Sequence, residues 1–263
     1  DTEETVRNIF IEAIQKAKEL GLKTVYHGGD VFDSRKAQPQ STLDCFGDIL
    51  ELFKEEDMQL VAIAGNHDKN DYESERSYLD VFRYHPNFTL IRKRSTIHLS
   101  DTLDTFNEFE IALIPYFKES TTYLSYLEDL KKKINPKKKT VLLTHIAING
   151  VKNNDGSLVE NNITKDLFSC FYKVFVGHYH NASVIDNIIY FGASHQHNFG
   201  EDNRKGFLVF YEDGSYSQIK STFPTFEEIV IDIETTSLVE VDELLQEYKE
   251  NKNNIRFTFR GTY

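Results

Sequence analysis

Apolar residues Val6, Ile9, Phe10, Ala13, Ile14, Ala17 and Leu20 recur every three or four positions, the spacing of a helix with one buried face, and Gly21 ends the run. The stretch 24–27 (Thr-Val-Tyr-His) follows as a short strand that stops at Gly28-Gly29-Asp30. A second helix is predicted from about Ser41, a candidate N-cap, through Leu43, Phe46, Ile49, Leu50 and Phe53. The apolar run 59–64 is a buried strand ending at Gly65-Asn66-His67-Asp68. The middle repeats the alternation: a helix over 73–84, strands near 88–91 and 108–115, and a helix from about 121 to 133. Strand 140–143 then delivers Thr144-His145, and strand 173–176 delivers Gly177-His178-Tyr179-His180. Short strands follow at 188–191, 206–211 and 215–219. Beyond Phe223-Pro224 the order becomes strand (228–233), helix (239–248) and strand (254–259), which divides the chain into domains 1–223 and 224–263. The fold class is α/β, with polar clusters after four strands, where open α/β sheets build their sites.

Composition narrows the function classes. The 263 residues hold 30 Lys+Arg against 42 Asp+Glu, a formal charge of −12, so the chain does not coat nucleic acid by bulk charge, although local grip is untouched by that balance. Two cysteines far apart, Cys45 and Cys170, exclude a disulfide scaffold and a thiolate zinc site. No apolar run approaches a membrane span, and the expectation is a soluble cytoplasmic protein with no membrane partner.

Taken singly, each polar residue has an ordinary explanation: an Asp after Gly-Gly is a turn residue, and a buried His is a satisfied core residue. Together, Asp30, Asn66, His145, His178 and His180 offer carboxylate, amide oxygen and imidazole at strand ends, a donor set for manganese, iron or zinc. Two such cations would clamp a phosphate and generate a nucleophilic water at neutral pH, which points to phosphoester hydrolysis.

The blocks Gly29-Asp30, Gly65-Asn66-His67-Asp68, Thr144-His145 and Gly177-His178-Tyr179-His180 resemble those of the calcineurin-like metallophosphoesterases over residues 1 to about 223. Three further features resemble the SbcD type, the nuclease subunit of bacterial and phage recombination complexes. They are the segment 29–35, the long stretch between His67 and His145, and Tyr190-Phe-Gly-Ala-Ser194 running through Gln196 and Phe199-Gly-Glu201 to Phe207. The resemblance implies a four-layer sandwich of two mixed β-sheets flanked by helices, followed by the start of a small α+β capping domain. It also implies two divalent cations, manganese or else magnesium: Asp30 bridges both, Asn66, His145 and His178 complete one, and His180 serves the other. His67 acts on the phosphate as the catalytic histidine, with Asp33 at the position that orients it.

Arg35, His195 and His197 are candidates for substrate contact, as are the lysines at 131–133 and 137–139 with Arg92, Lys93 and Arg94. His27 is expected to pack at its strand end, and His85 and His98 carry no chemistry. Implied partners are DNA, a second copy of the chain in a homodimer, and an SbcC-like ABC ATPase with coiled coils, docking beyond Tyr263. The expected reactions are 3′–5′ double-strand exonuclease and single-strand endonuclease cleavage. A phosphatase or cyclic-nucleotide phosphodiesterase of the same superfamily is the alternative, and a non-catalytic DNA-binding assembly module is a second. The family's opening Asp-x-His is not found before the first helix, and Asp1 does not replace it. The first metal position is therefore expected to be incomplete, and a metal titration to show one tight site at most.

Overall fold

The computed structural model describes residues 2–98, 108–118, 121–153, 156–249 and 252–261; Asp1 lies outside them, as do the side chains of 96–98, His98 included. The elements run α1 (Glu3–Glu19), β1 (Thr24–His27), α2 (Gln40–Glu55), β2 (Gln59–Ile63), β3 (Phe88–Ile91), β4 (Ser95–His98), β5 (Phe109–Ile114) and α3 (Thr121–Lys131). They continue with β6 (Lys139–His145), β7 (Lys173–Gly177), β8 (Ser183–Ile185), β9 (Ile188–Tyr190), β10 (Gly206–Phe210), β11 (Tyr216–Lys220), β12 (Phe226–Asp232), α4 (Leu238–Tyr248) and β13 (Asn254–Arg260).

Two sheets carry the site. One is three-stranded, in the order β1-β2-β3, and parallel throughout. The other is six-stranded and mixed, in the order β4-β5-β6-β7-β9-β8: β5, β6, β7 and β9 run parallel, and β4 and β8 pair antiparallel at the edges. Side-chain alternation along each strand builds the layers. Val61 and Ile63 of β2 meet Ile111, Leu113, Val141, Leu143 and Phe175 between the sheets, with Leu208, Phe210 and Tyr216 of the β10–β11 ribbon against the same core. Leu60 and Ala62 face the opposite way, onto Phe10, Ile14, Phe46, Ile49, Leu50 and Phe53 of α1 and α2. Ala112, Ile114, Leu142, Val174 and Val176 turn outward onto Tyr123, Leu127 and Leu130 of α3. The result is helix, sheet, sheet, helix, the layering the family resemblance implies, although the three strands of the smaller sheet are parallel where a mixed sheet was expected. Beyond it, β12 and β13 pair with each other in parallel through α4.

Four local readings are corrected. The second helix begins at Gln40 with Pro39 at the N-cap, so Ser41 sits inside the helix and does not cap it. The helix expected over 73–84 shrinks to one 3-10 turn, Tyr78–Phe82, capped by Ser77 and Asp80; Leu79 is buried, but Val81 and Tyr84 are 64% and 82% exposed, so the apolar face is shorter than the pattern implied. Strands β4 and β8 were not expected from the pattern. β8 is three residues long with Val184 exposed, too short and too open for a burial period to register.

Candidate metal centre and active site

The carboxyl ends of β1, β2, β6 and β7 meet where the two sheets face each other, and each end contributes one donor. After β1 the chain turns through Gly28 and Gly29 into Asp30, whose φ of 57° is left-handed. The turn after β2 is pressed against it: a Cβ on Gly65 would lie 2.1 Å from Asp30 Oδ1, so no larger residue fits. His145 is the last residue of β6, aligned with Gly177 of β7. His178 follows with φ 96°, a backbone strained for a non-glycine residue and held by its surroundings.

Asp68, which sequence reasoning left without a role, organises these turns. Its side chain is fully buried and accepts three main-chain N–H groups, from Gly65 (2.7 Å), Asp30 (2.9 Å) and Phe32 (3.0 Å). One carboxylate thereby ties the loop after β1 to the loop after β2. Burial, and next the Asp30 charge, push its pKa up to about 6. Buried Lys69 fastens the same loop from the other side, donating to the carbonyls of Ser74 (2.9 Å) and Tyr116 (2.6 Å) over the Phe117 ring.

The ligand atoms of Asp30, His145 and His178 all lie within 4.8 Å of one another. His145 Nδ1 donates to the Gly28 carbonyl at 2.7 Å, so the Nε2 of a neutral ring carries a lone pair. That Nε2 faces Asp30 Oδ2 at 3.2 Å, Asn66 Oδ1 at 3.0 Å and His178 Nδ1 at 3.1 Å, and Asn66 Oδ1 is 2.9 Å from His178 Nδ1. Four electron-pair donors converge on one another, an arrangement that is repulsive unless positive charge lies among them. Burial opposes charge on His145, but the Asp30 carboxylate outweighs it and raises the His145 pKa. Burial likewise opposes charge on Asp30, yet His145 and the His67 N–H hold its carboxyl below the usual range. Burial, then His145, lowers His178 to about 3, leaving its ring neutral, with one nitrogen able to bind a metal. The donor set therefore fits a divalent cation, with a mixture of carboxylate, amide and imidazole suited to a first-row metal.

His67 stands beside this cluster. Its main-chain N–H donates to Asp30 Oδ1 at 2.8 Å and its ring Nδ1 donates to the Asp33 carbonyl at 2.5 Å, while Nε2 accepts from Arg35 Nη2 at 2.8 Å. The orienting contact at position 33 thus comes from the main chain, and the Asp33 carboxylate, expected to make it, is exposed. Asp30, Arg35, Asn66, His67, His178 and His180 line one open cavity of about 300 Å³, together with Asn153 and Tyr179. The last two were not foreseen; the Tyr179 hydroxyl donates to Asn153 Oδ1 at 3.1 Å and so ties the 146–163 loop to the His178 turn.

His180 reaches the cavity from its rim and pairs with Glu201. His197 is exposed beside it, ring centroids 4.7 Å apart, whereas His195 is buried between His197 and Phe223, which takes its ring off the surface where substrate contact was expected. His27 stacks on Phe10 at 5.7 Å and accepts the Gly29 N–H. The lysine run does not reach the site. It ends at Lys139, the first residue of β6, six positions or roughly 20 Å from His145, and Lys131, Lys132 and Lys139 pair with Glu128, Asp129 and Glu108. Arg92 and Arg94 pair with Asp80 and Asp129. No helix among the described residues is long and apolar enough to cross a membrane.

The family model for calcineurin-like phosphoesterases matches residues 2–182. Exonuclease subunit 1 of Enterobacteria phage T4 is 26% identical over 216 residues, covering 79% of this chain; the chain spans 60% of that relative's length. The family match takes in every donor that converges in the cavity, from Asp30 through His180, and the chain belongs to the calcineurin-like phosphoesterase family.

Proposed function

We propose that the chain is the nuclease part of a DNA-processing complex, hydrolysing phosphodiesters as a 3′–5′ double-strand exonuclease and a single-strand endonuclease with manganese. The observation that carries this reading is the set of four converging donors placed beside His67 and Arg35 in one open cavity. The exonuclease relative supports DNA as substrate and a multi-subunit assembly as context.

Asp30, Asn66, His145 and His178 would hold one cation, and Asp30 with His180 would serve a second. When bound, the cations supply positive charge for the phosphate and a water of lowered pKa. The Asp33 carbonyl takes the His67 Nδ1–H, so Nε2 faces the cavity; a proton taken up at Nε2 would be the one passed to the leaving 3′ oxygen, returning the ring to its neutral Nδ1–H form. Arg35, now on that Nε2, is within reach to transfer its guanidinium to a phosphate oxygen, where a charge-assisted bond is stronger than the one it leaves. Asn153 and the exposed His197 border the path of a bound strand. In this reading residues 224–263 begin a DNA-capping domain, the chain works as a homodimer in the cytoplasm, and an SbcC-like ATPase with coiled coils is its partner.

The test sets a 5′-labelled duplex and a circular single strand beside a small chromogenic diester, each with manganese and then with chelator. Metal-dependent shortening of the duplex and nicking of the circle, both lowered about 10²–10⁴-fold by His67→Ala, are expected. Hydrolysis of the small diester with both DNA substrates intact would overturn the nuclease assignment in favour of a small-ester phosphatase.

A further inference from the structure

We infer that Glu201 is a positioning residue for His180, holding its ring so that Nε2 is presented to the cavity as a metal donor. The inference rests on the proposed role of His180 and names what makes that role possible. The His180 side chain is 40% exposed on a loop, a setting in which an imidazole samples rotamers and both tautomers. Its Nδ1 meets Glu201 Oε1 at 2.7 Å, and the Glu201 side chain is only 5% exposed. Glu201 is itself anchored on every side. Its Oε2 accepts the His197 N–H at 3.1 Å and faces Lys205 Nζ at 3.1 Å, and its Oε1 also accepts from Asn198 Nδ2 at 3.1 Å.

Buried Lys205 closes the frame by donating to the His180 carbonyl at 2.5 Å, so the same pair grips both the ring and the backbone of His180. Gln196 secures the turn from behind: its Nε2 donates to the Glu201 carbonyl at 2.8 Å and its Oε1 accepts the Phe226 N–H at 2.9 Å, joining the loop to β12. Glu201 does not line the cavity, and its effect on the metal site passes through His180. A carboxylate on the far nitrogen of a metal-binding histidine selects the tautomer and raises ligand basicity, and losing it typically weakens metal binding about 10–100-fold.

Glu201→Gln tests this at constant volume. The charged Lys205 and the His197 N–H at Oε2 outweigh the neutral Asn198 and His180 donors at Oε1, so the amide oxygen takes the Oε2 side and the NH2 group is set against His180 Nδ1. His180 must then accept at Nδ1 and carry its proton on Nε2. Two-bond 1H–15N spectra of the metal-free chain at pH 8.5, with His180 assigned by its absence from His180→Gln, read the tautomer directly. Nδ1–H is expected in the wild type and Nε2–H in Glu201→Gln. Manganese affinity, followed by loss of the free-ion EPR signal in the weaker phase that His180→Gln abolishes, should fall about 10–100-fold.

If circular dichroism shows Glu201→Gln unfolded, Glu201→Ala replaces it, with a mixture of tautomers expected. A wild-type ring in the Nε2–H form, a tautomer unchanged by either variant, or an unchanged affinity after the tautomer has flipped would overturn the inference. Failure of the wild-type chain to cut DNA, with the tautomer behaving as expected, would remove the nuclease reading and leave this one standing.

Discussion

Asp68→Ala measures how much of the site's geometry depends on one carboxylate. The substitution strands the N–H groups of Gly65, Asp30 and Phe32, all of which end on Asp68 oxygens in a place without solvent. A buried donor left unsatisfied costs about 1–3 kcal/mol, so three amount to about 3–9 kcal/mol. The low end is the better expectation, since burial works against the Asp68 charge and its removal relieves that penalty. A loss of about 3–4 kcal/mol is still a large share of a domain stability of about 5–15 kcal/mol. Asp68→Asn separates the contributions: one oxygen can still serve Gly65 and Asp30, which share Oδ2, while the NH2 faces the Phe32 N–H. One lost bond gives about 1–3 kcal/mol. Urea unfolding at pH 8, followed by circular dichroism with the slope m held as a check on the denatured state, should order the proteins wild type, Asn, Ala. The reasoning fails if Asp68→Ala lies within about 0.5 kcal/mol of wild type, the ordinary range for a surface substitution.

Two further outcomes follow from the same loops. His67→Ala should lower DNA cleavage by about 10²–10⁴-fold, the usual contribution of a positioned proton donor, with manganese binding retained, whereas Asp33→Ala should leave cleavage little changed because the main-chain carbonyl makes the contact; equal losses in the two variants would return the role to the Asp33 side chain. For Lys69, burial lowers the pKa from 10.5 to about 8, so between pH 8 and 10.5 the unfolded chain binds more protons than the folded one and this group makes stability rise with pH. Lys69→Met removes that rise, and urea midpoints at pH 8 and pH 10 that shift equally in both proteins would contradict it.

What was legible in the chain and what was not divide along sequence separation. Apolar periods of two and of three to four report on neighbours within one element, and they place the strands whose ends carry Asp30, Asn66, His145 and His178. They fail where burial is absent, as at Val81, Tyr84 and Val184, since an exposed apolar residue leaves the same mark in a sequence as a buried one. Asp68 and Glu201 escape for another reason. Asp68 bonds Phe32 across 36 positions and Asp30 across 38, and Glu201 bonds His180 across 21, so neither partner is visible in a local pattern. The donors themselves needed no such contact to be noticed, because a metal demands particular residue types wherever they lie.

The residues that aim those donors are under a weaker chemical demand. Any acceptor that fits can satisfy a main-chain N–H or a histidine Nδ1–H. Asp33 shows the consequence, since the oxygen that holds the His67 ring belongs to the backbone and would survive most substitutions there. Residue type therefore announces a ligand, while its orientation is decided by the fold. The site becomes complete only when Asp68, Glu201 and the Asp33 carbonyl are counted with the groups they hold.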